Sequence, residues 1–195
     1  MTPSDPLSHH LFTMACNDAW ANHRLLRACA RLSDDTFAAP RVSFFGSLRA
    51  TGNHLVTVAW FYVDALERAL ADREPHDTPG DFFDPEEPFA TCAALLDAQH
   101  DVDRRLVAAC RSLSDDRLGA IIRIKRRRGE TRDPVTRILA HLFQHQIHHR
   151  GQMHAMLSST DVAPPQLDEF FCVGEAEGRA DELAAIGLSE AMIWG

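Results

Sequence analysis

Four long stretches of this sequence place apolar residues at steps of three and four. That period lays them along one face of a helix. Leu11, Phe12, Ala15, Ala19, Leu25, Leu26, Cys29 and Leu32 mark the first stretch, from about Leu7 to Leu32. Phe44, Leu48, Leu55, Val58, Tyr62, Leu66 and Leu70 mark the second, from about Ser43 to Asp72. Leu95, Leu96, Val102, Leu106, Val107 and Cys110 mark the third, roughly Phe89 to Leu113. The fourth has neither Gly nor Pro between Val135 and Arg150 and runs to about Leu157, with Asp133 as its expected cap and Pro134 in its first position. A first helix of about seven turns is longer than a minimal globular domain needs and is ordinary in a bundle. The pattern predicts an all-α four-helix bundle.

The breaks between these stretches carry their own signals. Ser4 and Asp5 offer an N-cap ahead of Pro6, Ser33-Asp34-Asp35 ends the first helix, and Pro40 breaks the chain before the second. Gly46 and Gly52 weaken the second helix by up to ~1 kcal/mol each unless they allow close packing. Residues Arg73 to Pro88 hold four prolines and many acids around Phe82 and Phe83, too long and polar for a tight connection. The β-branched run at Gly119–Lys125, with a turn at Arg128-Gly129-Glu130, predicts a short hairpin or extended arm before the last long helix. The basic cluster Lys125-Arg126-Arg127-Arg128 reads as a solvated turn. After Pro164-Pro165 come apolar Phe170, Phe171 and Val173, an acidic helix from about Glu175 to Ile186, and Ile193-Trp194. We expect a bundle over residues 1–165 and a C-terminal extension over 166–195, packed on the bundle or on a partner subunit.

The chain has 195 residues, 45% of them hydrophobic, which fits one domain with a sizeable core. Its formal net charge of −8 argues against nucleic acid, which selects a basic footprint. No apolar run approaches the ~20 residues of a membrane span. The first residues lack the basic-then-apolar build of a signal peptide, so the expected compartment is the cytoplasm. The cysteines are Cys16, Cys29, Cys92, Cys110 and Cys172, odd in number and without a CxxC, and are read as reduced, mostly buried thiols. There is no Walker loop, dinucleotide fingerprint or GxSxG elbow.

The chemistry is concentrated on the fourth helix. Four of the eleven histidines fall between His141 and His149. His141, His145 and His149 form a vertical row, His148 flanks it, and His154 is expected on the opposite, solvated face. Neutral imidazoles one turn apart can converge on one divalent ion. The spacing leaves His141/His145, His145/His149 and His145/His148 open as pairs. Gln146 stands where a zinc-protease helix carries its general-base Glu, so a protease is excluded. His54, in the middle of the second helix, is a third candidate if the bundle turns it towards the row. Three histidines would leave a position open, as catalytic sites do and structural zinc sites do not.

Three stretches together resemble the DinB family: Asn17-Asp18-Ala19-Trp20-Ala21-Asn22 with Leu25; Gly46-Ser47-Leu48 followed by Asn53-His54-Leu55; and His141-Leu142-Phe143-Gln144-His145 followed by His149-Arg150-Gly151-Gln152. The resemblance covers about residues 8–165. It implies an up-down-down-up bundle, often dimeric, with a zinc or nickel ion held by His54, His145 and His149. His141 and His148 then lie at the rim. Many family members carry an acid where this chain has Ala59, and an aromatic near Cys16. The superfamily also holds YfiT-like hydrolases and low-molecular-weight-thiol S-transferases. The resemblance therefore implies a metal-dependent enzyme acting on a small molecule, with a low-molecular-weight thiol as a candidate cosubstrate. The alternative is a non-catalytic metal- or ligand-binding bundle with a stress role. Gln152 is placed to orient a ligand, and Arg150 either to meet a substrate carboxylate or to pair with nearby acids.

Overall fold

The computed structural model describes residues 5–195 and is mostly helical. Its long helices are α1 (Pro6–Cys29), α3 (Leu48–Leu70), α4 (Cys92–Arg111) and α5 (Val135–Leu157). Short α2 (Asp34–Ala38) follows α1, and α6 (Ala176–Ala185) and α7 (Glu190–Trp194) close the chain. A two-stranded antiparallel hairpin, β1 (Ile121–Arg126) and β2 (Gly129–Pro134), precedes α5. Helix α1 lies against α4 and α5, and α3 lies against the same two. No helix among the described residues is long and apolar enough to cross a membrane.

Local chemistry sets the ends of these helices. Ser47 Oγ accepts from the Ala50 amide at 3.0 Å and Thr91 Oγ1 from the Ala94 amide at 3.3 Å, each satisfying an orphan donor of a first turn. Gly46 has φ +78, in the left-handed region, so α3 starts at Leu48 and not near Ser43. Phe44 is consequently outside the helix and 82% exposed instead of in its apolar stripe. Gly52 does allow a close approach: a Cβ there would meet Leu95 Cδ1 at 3.0 Å. Helix α1 stops at Cys29, short of Leu32. Of its expected caps, Asp5 makes no side-chain cap bond and Ser4 lies outside the described residues.

The hairpin pairs Ile121 with Pro134 and Arg126 with Gly129, leaving Arg127 and Arg128 as the turn. Asp133 is therefore a strand residue opposite Ile122, and Pro134 is the residue before α5, not its first turn. Ile122 and Ile124 are buried, and β1 packs on α3. The basic cluster is partly neutralised: Lys125 pairs with Asp77, and Arg126 stacks 4.6 Å above the Phe61 ring. The polar loop after α3 contains one 3-10 turn, Pro79–Phe83.

The core runs between the long helices, with Trp20, Leu66, Leu106 and Leu139 fully buried. Helices α6 and α7 pack on α1. There Phe170 lies 5.7 Å from the Trp20 ring, and the Trp20 indole N–H donates to Glu182 at 2.8 Å. All five cysteines are free; four are buried and Cys172 is exposed.

Candidate metal centre

Helix α5 carries His145 and His149 one turn apart, and their ring centroids are 4.4 Å apart. Helix α3 brings His54 to both, at 4.9 and 4.7 Å. Nε2 of His54 lies 2.9 Å from Nε2 of His145. One ligand atom from each of the three rings falls within 4.8 Å of the others.

The meeting of α3 and α5 is held at this level by Gln146. Its side chain is fully buried, and its amide donates to the Leu55 carbonyl at 3.1 Å. The residue that replaces a protease glutamate is thus a tie between the two helices, one position along from a histidine on each. On the other side of His54, buried Asn53 clamps the incoming chain. It donates to the Phe89 carbonyl at 2.9 Å and accepts from the Phe89 amide at 2.8 Å.

Phe45, just before α3, covers the cluster. Its ring lies 4.2 Å from that of His54 and 5.3 Å from that of His149. Gln152 fixes His149: Nδ1–H donates to Oε1 at 2.8 Å, which leaves Nε2 free to ligate. The Gln152 amide nitrogen donates in turn to His148 at 3.1 Å. His141 stays outside, 6.2 Å from His145 and 5.2 Å from the Tyr62 ring. His154 is half-buried and bonded to the Pro165 carbonyl at 3.0 Å, whereas free solvation was expected. The linker after α5 folds back over it.

The electrostatics favour neutral rings. Burial, then the neighbouring imidazoles, push His145 down to about 3; burial and His149 push His54 down to about 4. Burial also lowers His149. Neutral imidazole is the form that binds a metal ion. Tetrahedral ligation at roughly 2.0–2.1 Å would put the nitrogens about 3.4 Å apart. The His54–His145 nitrogen distance of 2.9 Å is within half an ångström of that. The donor set and its spacing fit a divalent ion. A cavity of about 350 Å³ adjoins His54, walled by Phe45, Ala50, Thr57 and Phe83 with Glu86 and Glu87 at its rim.

Arg150 is turned away from this cavity. It is 4% exposed and bonds Asp18 and, at 2.9 Å, Asn22 of α1. Asn22 also donates to Asp103 at 3.2 Å, and Gln99 donates to Asp103 at 2.8 Å. Of the two roles open to it, Arg150 takes the ion pair, with Asp18. Residue spacing assigns no tie between helices to Asn53 or Gln146 and no covering role to Phe45. The available signal was a polar residue at a core position beside each histidine, together with an aromatic before the Gly46 turn.

The DinB family model matches residues 7–179. The chain belongs to the DinB family. Within that family, this chain is similar to the crystal structure of a DinB-like protein from Bacillus cereus, with 19% identity and a TM-score of 0.56. The match covers 76% of this chain and 89% of the other. At that identity the likeness speaks for the fold alone. No curated protein matches. The family match runs past residue 165 into α6, so the DinB-like portion extends further than the sequence motifs did.

Proposed function

We propose that this DinB-family chain binds one divalent ion, zinc or nickel, through His54, His145 and His149, and acts on a small molecule as a metal-dependent thiol S-transferase or hydrolase. The observation that carries this reading is the convergence of three neutral imidazoles from two helices beside a cavity. An open divalent ion acidifies a thiol or a water and polarises an electrophile. The protein's own residues do the rest. Gln152 holds the His149 ring by its far nitrogen, Phe45 shields two of the rings, and Gln146 fixes the spacing between the helices. The aromatic walls of Phe45 and Phe83 accept an apolar part of the substrate.

We further read the four long helices as an up-down-down-up bundle and the functional unit as a cytoplasmic homodimer. Residues 1–165 form the bundle in this reading, and 166–195 an extension packed on it. The packing of α1 and α3 each against α4 and α5 supports the topology. The net charge of −8 supports the absence of a nucleic-acid partner.

Metal analysis of untagged protein tests the site: about one divalent ion per chain is expected, and none after His145→Ala. Thermal-shift measurements with glutathione, with and without metal, test the chemistry. A shift that needs the ion supports the transferase reading. One ion bound with no response to thiols or electrophiles would leave the non-catalytic binding bundle.

A further inference from the structure

A larger cavity, about 480 Å³, lies elsewhere, between α1, α4 and the turn joining α6 to α7. None of its lining residues belongs to the histidine cluster. Its volume falls in the range of small-molecule pockets, roughly 300–1,000 Å³. The walls are apolar: Ala19 from α1, Val107 from α4, and Leu188 and Met192 from the C-terminal segment. Gly187, at φ +76, makes the turn that lays this segment over the opening.

The polar groups come from one face of α4. Arg104 and Arg111 are seven residues apart, two turns along that face or about 10 Å, with Val107 between them. Arg104 is engaged by Asp101 at 2.9 Å in an exposed pair. Arg111 has no carboxylate partner among the described residues. Asp103 is 4% exposed, and burial, then the charge of Asp18, push its carboxyl up, towards the uncharged form. Burial also keeps His100 towards its neutral form. The cavity thus offers apolar walls and, at Arg111, a guanidinium without a carboxylate partner.

We propose that this cavity is a second small-molecule site, taking an amphipathic monocarboxylate whose anion meets Arg111 and whose apolar body lies along Val107 and Leu188. Arginine matches a carboxylate with two parallel hydrogen bonds, and the apolar walls exclude molecules that are charged throughout. The inference does not depend on metal binding.

The test is isothermal titration of the full chain with 4-phenylbutyrate and its uncharged amide. Saturable one-to-one binding of the acid is expected, with the amide about tenfold weaker or more, the scale of a lost charge-assisted pair. Arg111→Gln, an exposed position, should weaken the acid by a similar factor and leave the amide unchanged. Ala108→Trp, which fills the opening, should abolish both. His145→Ala should change neither. Absence of saturable binding overturns the proposal, and so does equal binding of acid and amide. Binding lost in His145→Ala but kept in Arg111→Gln would also overturn it, because the molecule would then sit at the histidines.

Discussion

Nδ1 of His149 donates to Oε1 of Gln152 across 2.8 Å, and this single bond decides which nitrogen of the ring faces His54 and His145. A residue one turn on from a candidate ligand thereby sets that ring's tautomer.

Gln152→Ala should keep the fold and weaken divalent-ion affinity by about 10–100-fold, the usual cost of losing an outer partner of a ligating histidine. Competition with a chromophoric chelator measures it. An affinity equal to the wild type would show that the ring is held by Phe45 packing alone.

Arg150→Met should destabilise the chain by about 3–5 kcal/mol, because it strands the buried Asp18 without its cation. Adding Asp18→Asn to that background should recover part of the loss. Urea unfolding reads both. If the single substitution costs under ~1 kcal/mol, the pair does not anchor α5 to α1.

Asp103 predicts a pH effect of defined sign. Burial, then the charge of Asp18, raise its carboxyl above the unfolded value near 4, so above that value the folded chain holds the extra proton until the raised group itself titrates. Its contribution to stability is present at low pH, is lost as pH rises through the raised folded value, and is level above. One proton gives at most about 1.4 kcal/mol per pH unit. His54 and His145 act in the opposite sense, since below about 6.5 the unfolded chain takes up protons first. The quantity to follow is therefore the stability of wild type minus that of Asp103→Asn, which should decline from pH 5 to 8. A flat difference would mean that Asp103 is ionised throughout.

Phe170→Ala should cost about 3–5 kcal/mol, as for other buried aromatic deletions. Phe170 is 1% exposed and lies against Trp20, so the tryptophan emission should shift to the red as water reaches the indole. Unchanged stability and emission would mean that the C-terminal segment lies on the bundle without supporting it.

Much of the helical frame was legible because burial repeats at the helix period. The stripes of α1, α3, α4 and α5 and the hairpin before α5 all follow from local pattern. The ends were less so. One left-handed residue, Gly46, delayed α3 past Phe44, and strand pairing took Asp133 away from α5. Both are decided by backbone conformation and register, which hydrophobic spacing does not encode. The fate of His154 was hidden for a related reason. Its partner, the Pro165 carbonyl, belongs to a linker whose path no periodicity predicts.

The sequence alone determined that histidines would line up along one helix, because a spacing of four is one turn whatever the surroundings. It left open which of them would act together. Only the tertiary structure chose, by pinning Gln146 of α5 to the Leu55 carbonyl of α3 and so carrying the His54 ring to His145 and His149 and away from His141. Likewise the charge of Arg150 was plain from the residue, but its direction was not. Buried Asp18, on a helix more than a hundred residues earlier, drew it inward, because either charge left unpaired in the core would be costly.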